Sequence, residues 1–151
     1  MLMPAKHGQT VLLADDDENV HLLMRRAFLK AGVFHVINMV QDGNEAVDYL
    51  TGNGLYSDRA AYPLPLLLLL DLDMPGKHGF DVLQWIRAES DVKRMVVVVF
   101  STSDEPGDIN RAYDLGANSY LVKPRRLNEF TELAVSLDEY WLKRNRCPVD
   151  F

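Results

Sequence analysis

The sequence has little of what marks disulfide-stabilised, secreted or membrane-spanning proteins. Cys147 is the only cysteine among 151 residues, so no disulfide can form within the chain and no cysteine cage can hold zinc. The apolar run at residues 66–70 ends at Asp71, far short of the roughly 18–20 residues that a membrane-spanning helix needs. The first eight residues contain no apolar stretch of signal-peptide length. We therefore expect a soluble protein of the cytoplasm.

Basic residues are also scarce. The 16 Lys and Arg residues are outnumbered by 22 Asp and Glu residues, which gives a formal net charge of −6 at pH 7. Binding of nucleic acid depends on clustered Lys and Arg that neutralise phosphates, so we expect no nucleic-acid partner. Apolar residues make up 48% of the chain, which excludes a disordered protein, and the length predicts a single domain over 1–151.

Five short apolar segments alternate with segments of helical periodicity. The predicted strands are residues 11–14, 34–40, 66–70, 95–100 and 120–122. Three of them are continuously apolar, which is typical of strands buried on both faces of a parallel sheet. The alternation therefore predicts an α/β fold, with one doubly wound five-stranded parallel sheet and five helices. The connection at 52–65 is unusually long, and we interpret it as a tolerated surface insertion, with a partner contact as the alternative.

Charged and hydroxyl side chains follow four of the five predicted strands. The carboxyl ends of parallel strands share one edge of the sheet, where ligands bind in such folds. These residues should therefore lie close together, although each alone would suit an ordinary turn. They are Asp15, Asp16 and Asp17 after the first strand, Asp71 and Asp73 after the third, Ser101 after the fourth and Lys123 after the fifth.

When carboxylates lie this close together, the repulsion between their negative charges must be offset. Two unit charges about 4 Å apart repel by roughly 4 kcal/mol at an effective dielectric constant near 20. A bound Mg²⁺ would offset this repulsion, because it prefers hard oxygen ligands and completes its shell with water or a phosphoryl oxygen. Aspartates also occupy the turn where a nucleotide-binding fold places glycines. We therefore expect phosphoryl transfer, with Asp71 as the nucleophile and with Lys123 and Ser101 stabilising the transferred group.

Four motifs together resemble the receiver domain of two-component response regulators: VLLADDD at 11–17, LLLDLDMPG at 68–76, FSTS at 100–103 and GANSYLVKP at 116–124. The resemblance implies a flavodoxin-like fold. It also implies that Asp71 accepts a phosphoryl group from a phosphohistidine of a sensor histidine kinase. The implied metal is Mg²⁺ or Mn²⁺, held by Asp16, Asp71 and the backbone carbonyl of Asp73, with Asp15 contributing through a water molecule.

The same resemblance assigns further roles. Ser101 and Tyr120 correspond to the pair of residues that move on phosphorylation, and the switched face is formed by the fourth and fifth strands and helices. The bond between Lys123 and Pro124 is expected to be cis. Asp73 and Ser103 occupy positions whose side chains control the access of water to the acyl phosphate.

A closer similarity is to stand-alone receivers paired with phytochrome-type histidine kinases. It rests on DGNEAVDYL at 42–50, the long loop, Asp108-Ile109 and YWL at 140–142. The similarity implies a homodimer with Tyr140 and Trp141 in the interface, although the helical spacing equally allows Trp141 to pack on the sheet. We expect a domain core at about 9–142, a tail at 143–151 and no room for a DNA-binding output domain.

Two other functions fit parts of the pattern. A phosphatase of the haloacid dehalogenase type also carries an Asp-x-Asp motif after an apolar strand, as at 71–73. Pro75 and the position of Asp104 before Lys123 count against it. A degenerate receiver that only binds other proteins is the second alternative, against which stands the complete set of expected site residues.

Overall fold

Five parallel strands form one sheet in the computed structural model, which describes residues 10–88 and 91–151. The strand order is β2-β1-β3-β4-β5, as in a flavodoxin-like fold, and the predicted fold class is confirmed. The strands are β1 Thr10–Ala14, β2 Val36–Val40, β3 Leu67–Leu70, β4 Val97–Ser101 and β5 Ser119–Val122. The helices are α1 Glu18–Ala31, α2 Gly43–Thr51, α3 Gly79–Ala88, α4 Pro106–Asp114 and α5 Leu127–Leu137.

The sheet is buried on both faces by helices. Along β1, Leu12 and Ala14 belong to one apolar cluster, together with residues of α2, α3 and α4. Val11 and Leu13 point to the opposite cluster, with residues of α1 and α5. All four side chains are fully buried, because successive residues of a strand face opposite sides of the sheet. This arrangement explains why the central strands are continuously apolar rather than alternating.

Two predicted strands begin two residues before the observed ones, and the other three differ from the structure by one residue at their beginning. The second strand begins at Val36 rather than at 34, and Phe34 is 96% exposed. Gly32 ends α1 in a left-handed conformation, so the chain needs the following residues to turn toward the sheet. The fourth strand runs from Val97 to Ser101, which places the serine within the strand rather than after it.

The long connection at 52–65 is tied to the rest of the fold. It contains a 3₁₀ turn at Gly54–Ser57, and Tyr56 is buried against Tyr49 and Tyr62 at ring-centroid distances of 4.9 and 5.0 Å. Arg59 donates hydrogen bonds to the carbonyl oxygens of Tyr49 and Tyr62 at 2.7 and 3.2 Å, and to that of Leu50 at 2.9 Å. The segment therefore forms a structured covering for the end of α2.

The C-terminal part of the chain returns across the domain. A π-helix at Asp138–Arg144 directly follows α5. On α5 itself, Leu127 is 70% exposed, whereas Phe130, Ala134 and Leu137 are buried. Phe151 is also buried, and its carbonyl accepts a hydrogen bond from the backbone N–H of Arg94 at 3.3 Å.

No helix within 10–88 and 91–151 is long and apolar enough to span a membrane. The first nine residues lie outside the described part of the chain. The interpretation of residues 1–8 and the expected core boundary at residue 9 therefore remain sequence-based predictions.

Candidate functional site

The ends of β1 and β3 bring two carboxylates side by side. Ala14 pairs with Leu70 in the parallel ladder, so Asp15 and Asp71 follow at the same level of adjacent strands. The backbone N–H of Asp71 donates to the carbonyl of Ala14 at 2.9 Å, which fixes this alignment. Asp15 is fully buried and Asp71 is 3% exposed. The sequence correctly predicted that these strand ends meet.

Asp16 completes an acidic cluster, which we define as Asp15, Asp16 and Asp71. One carboxylate oxygen from each residue lies within 4.8 Å of the others. Asp16 is exposed, so the cluster opens to solvent on one side. Part of its geometry is fixed by the backbone, since the N–H of Asp17 donates to Asp15 at 2.9 Å and that of Asp73 donates to Asp71 at 3.4 Å.

Lys123 provides positive charge at this site. Its Nζ lies 2.6 Å from Oδ2 of Asp15 and 3.4 Å from Oδ2 of Asp71. The lysine arrives from the end of β5, and its backbone N–H donates to the carbonyl of Ser101 at 2.7 Å. One ammonium group thus faces three carboxylates. The site retains negative charge whenever all three are ionised.

The pKa of Asp71 is raised to about 6, mainly by burial. The Lys123 ammonium group opposes this shift, and the neighbouring Asp15 adds to it. For Lys123, burial alone would lower the pKa, but the contacts with Asp15 and Asp71 outweigh it and raise the pKa. Ionised Asp71 is therefore costly in this buried position, and a bound cation would stabilise it.

The donor set suits a divalent cation. Three carboxylates supply hard oxygen ligands, and the exposed side at Asp16 leaves room for water or a second ligand. Nitrogen and sulfur ligands of the kind that favour structural zinc are not part of this group. The acidic cluster therefore fits a divalent metal of the Mg²⁺ or Mn²⁺ type.

Ser101 and Tyr120 lie next to this cluster on β4 and β5, and Ser103 connects them. Ser101 is fully buried, and its Oγ accepts a hydrogen bond from the backbone N–H of Ser103 at 3.1 Å. The hydroxyl of Tyr120 donates to the carbonyl of Ser103 at 2.8 Å. The two residues that the resemblance pairs are thus joined through one intermediate residue.

Comparison with known proteins agrees with this geometry. Residues 11–134 match the response regulator receiver domain. The probable methanogenesis regulatory protein FilR2 of Methanothrix harundinacea is 35% identical, with 91% of this chain and 87% of that protein covered. Response regulator Rcp1 of Synechocystis sp. is 31% identical, with 93% of each chain covered.

The chain belongs to the response regulator receiver domain family.

Solved structures of receivers superpose closely on this one. The phosphorylated cyanobacterial phytochrome response regulator RcpA has a TM-score of 0.85 and 34% identity, with 93% of this chain and 98% of that chain covered. The Mn²⁺-bound form of Rcp1 has a TM-score of 0.83 and 31% identity, with 93% and 99% covered. This receiver is therefore similar to phytochrome response regulators, and its relatives are response regulators rather than phosphatases.

One expectation about the receiver site is wrong. No peptide bond within 10–88 and 91–151 is cis, so the bond between Lys123 and Pro124 is trans. The trans form is the lower-energy state of most bonds that precede proline. Lys123 reaches both Asp15 and Asp71 in this conformation, so the ion pairs do not require the cis form.

Sequence reasoning missed two residues that shape the site. A Cβ atom on Gly79 would overlap the carbonyl of Asp71 and lie 2.7 Å from Cα of Leu72, so only glycine lets α3 begin this close to the phosphoacceptor candidate. Asp108 accepts a hydrogen bond from Ser103 Oγ at 2.6 Å. The sequence did contain a signal for this contact. Ser103 lies shortly before Pro106, where α4 begins, and Asp108 lies shortly after it.

The predicted interface residues lie away from the acidic cluster. Tyr140 is 53% exposed and Trp141 is half-buried, and their rings meet edge to face at a centroid distance of 4.8 Å. Trp141 packs against the apolar cluster of α1 and α5. The alternative role of Trp141 in packing against the domain thus has direct structural support, and the interface role of Tyr140 stays a prediction.

Proposed function

We propose that this receiver accepts a phosphoryl group on Asp71 from the phosphohistidine of a sensor histidine kinase. The observation that carries the proposal is the position of Asp71, which lies buried at the end of β3 beside Asp15, with the Lys123 ammonium group in contact with both carboxylates. A carboxylate in this place has a nucleophilic oxygen, a fixed cation beside it and a pocket that opens to solvent at Asp16. These are the requirements of an acceptor in phosphoryl transfer.

In the proposed reaction, a carboxylate oxygen of Asp71 attacks the phosphorus of the phosphohistidine. The new O–P bond forms as the N–P bond breaks, and the electron pair of that bond leaves with the imidazole nitrogen. Lys123 offsets negative charge on the phosphoryl oxygens, and the hydroxyl of Ser101 donates a hydrogen bond to one of them. The product is an acyl phosphate on Asp71 and a free histidine on the kinase.

We further propose Mg²⁺ as the resident cation, with Mn²⁺ as a substitute. Asp16 and Asp71 would hold the ion with the backbone carbonyl of Asp73, and Asp15 would contact it through water. When bound, the cation neutralises charge on the phosphoryl group and on the carboxylates. The Mn²⁺-bound form of the related Rcp1 supports a divalent ion at this position.

The acyl phosphate would act as a switch. The acyl phosphate carries about −1.5 to −2 charges at neutral pH in place of the single charge of the carboxylate, and the added charge draws Lys123 and Ser101 toward the phosphoryl group. Reversing a 1:99 equilibrium takes roughly 5.5 kcal/mol, which a few charge-assisted contacts together with the metal could supply. We expect the change to reach α4, β5, α5 and the π-helix that follows α5, where Tyr113, Val122 and Tyr140 expose apolar surface. This face would then bind a second copy of the chain or another protein.

The proposed partner is a phytochrome-type histidine kinase, supported by the similarity to the phytochrome response regulator RcpA. A histidine kinase of this class would meet the receiver in the cytoplasm. We also propose that the described fold acts as a single signalling domain. Asp73 and Ser103 would affect the rate at which the acyl phosphate is hydrolysed, through the access of water.

The direct test is labelling by acetyl phosphate in the presence of Mg²⁺, followed by intact-mass measurement. The wild-type protein should gain one phosphoryl group, and the Asp71→Asn variant should gain none. Asp81→Asn is the matched control, because it removes an exposed carboxylate on α3 outside the acidic cluster. Stoichiometric labelling of Asp71→Asn would refute the assignment. An unlabelled wild-type protein would favour a degenerate receiver, and multiple turnover of a phosphomonoester would favour the phosphatase.

A further inference from the structure

Ser103 is a junction of hydrogen bonds between the site and α4. Its N–H donates to Ser101 Oγ at 3.1 Å, and its carbonyl accepts from the hydroxyl of Tyr120 at 2.8 Å. Its own hydroxyl donates to Asp108 at 2.6 Å and accepts from the backbone N–H of Glu105 at 3.3 Å. All the polar groups of Ser103 are thus engaged, and its bonds reach β4, β5, the loop before α4 and α4 itself.

The bond to Asp108 is the short one in this group. A hydroxyl that donates to a carboxylate forms a charge-assisted hydrogen bond, which is stronger than a bond between neutral groups. Asp108 lies in the first turn of α4, where a negative charge is also favourable. Pro106 starts this helix, and the preceding Glu105 makes no side-chain cap. The contact between Ser103 and Asp108 is therefore a specific tie between this loop and α4.

The orientation of Ser101 depends on the same loop. Its Oγ is buried, and one lone pair is held by the N–H of Ser103. The hydroxyl proton of Ser101 remains available to donate elsewhere. If Ser103 moves, Ser101 loses the bond that sets the direction of this proton.

We infer that Asp108 is a positioning residue for phosphorylation of Asp71, acting through Ser103 on the hydroxyl of Ser101. The inference rests on the proposed function. Asp108 does not contact the phosphoryl group. It holds the Ser103 side chain so that the N–H of Ser103 keeps the Ser101 proton directed to the phosphoryl oxygen.

The test measures the rate of labelling by acetyl phosphate at saturating Mg²⁺ for single and double variants. Asp108→Ala and Ser103→Ala break the same bond from opposite sides, and each should slow labelling about five- to tenfold, the effect of one lost hydrogen bond. The double variant should be no slower than Ser103→Ala, because that variant already removes the bond to Asp108 together with the bond from the N–H of Glu105. Asp108→Asn keeps an acceptor oxygen and should restore most of the rate.

The matched control is Asp104→Ala. Asp104 is an exposed carboxylate in the same loop, and it makes no hydrogen bond or ion pair with the described residues. Its removal changes the local charge equally but should leave the rate unchanged. Urea unfolding of every variant separates loss of structure from loss of positioning, since Asp108→Asn and Asp108→Ala should differ in rate at equal stability.

Three results would overturn the inference. They are a wild-type rate in Asp108→Ala, additive losses in the double variant, and an equal loss in Asp104→Ala. Each is distinguishable from failure of the proposed function, because that function fails only if the wild-type protein is unlabelled or if Asp71→Asn is still labelled.

Discussion

Two polar clusters in this receiver differ in how well their charges and hydrogen-bonding groups are matched. The acidic cluster at the ends of β1 and β3 gathers three carboxylates around one lysine. The tyrosine cluster, defined as Tyr49, Tyr56 and Tyr62, lies over α2 together with Arg59. There the guanidinium group donates to three carbonyls, and the hydroxyl of Tyr56 donates to Glu45 at 2.7 Å.

The difference between the clusters lies in their electrostatic balance. Buried polar groups cost free energy unless they find partners, and in the tyrosine cluster donors and acceptors match. In the acidic cluster, the contact with Lys123 only partly offsets burial and the neighbouring Asp15 charge, which together raise the pKa of Asp71. A buried charge of this kind lowers the stability of the domain and favours binding of a cation. Charge removal should therefore have opposite effects on stability at the two places.

The largest expected effect is a loss of stability in Arg59→Met. Methionine keeps an apolar side chain of similar length but removes the donor to the carbonyls of Leu50 and Tyr62, and leaves that of Tyr49 with only the 3.3 Å bond from the N–H of Gly52. We expect the free energy of unfolding to fall by about 3 to 4 kcal/mol, measured by urea denaturation. Arg26→Met, at an exposed position on α1, should change it by less than about 0.5 kcal/mol. Equal effects of the two variants would contradict a structural role for the cluster.

For Asp71→Asn, measured without added metal, we expect the free energy of unfolding to rise instead of fall. A folded-state pKa raised to about 6 means that the native protein binds the proton more tightly than the unfolded chain. The favourable contribution is complete below about pH 4 and is lost as the pH rises through about 6. Asp71→Asn should therefore be more stable than the wild type by up to about 3 kcal/mol at pH 7 and by little at pH 4.

Urea titrations in EDTA at both pH values measure this difference. Asp48→Asn, an exposed change on α2, provides the control and should show no comparable gain. Added Mg²⁺ should stabilise the wild-type protein and reduce the advantage of Asp71→Asn. A variant less stable than the wild type at pH 7 would show that Lys123 already balances the cluster.

The smallest expected effect concerns Tyr56→Phe. Burial raises the pKa of Tyr56, and its bond to Glu45 raises it further. Loss of this bond should cost about 1 kcal/mol at pH 7. The wild-type protein should also lose stability above about pH 10, where tyrosine ionises in the unfolded chain but Tyr56 stays protonated in the folded one.

The fall in stability between pH 9 and 10.5 should be shallower in Tyr56→Phe. Tyr113→Phe removes a hydroxyl from a 48% exposed side chain and is the matched control. The urea midpoint of each protein at the two pH values gives the result. Identical slopes for Tyr56→Phe and the wild type would show that this tyrosine ionises freely in the folded protein.

The sequence was most informative where the backbone alone determines position. Asp15 and Asp71 directly follow apolar strands, and parallel strands that neighbour one another end at the same edge, so their meeting could be predicted. The position of Lys123 at this edge was predicted by the same reasoning, because the lysine directly follows β5. The beginning of the second strand was less predictable, because Phe34 is apolar yet 96% exposed ahead of Val36.

Contacts between side chains of loops were not predictable in this way. The tyrosines at 49, 56 and 62 follow neither helical nor strand periodicity, so their packing depends on how the segment at 52–65 folds back on α2. The bond between Ser103 and Asp108 likewise depends on the direction in which α4 leaves the sheet. Such contacts are set by tertiary geometry rather than by local pattern.

The pairing of Ala14 with Leu70 has a thermodynamic consequence for the whole domain. Asp15 and Asp71 are neighbours only after β1 and β3 have joined, so the chain cannot assemble the acidic cluster before its central ladder exists. A divalent ion that recognises the assembled cluster therefore selects the native state by mass action. The concentration of this ion in the cell therefore affects the stability of the central ladder, whether or not Asp71 is phosphorylated.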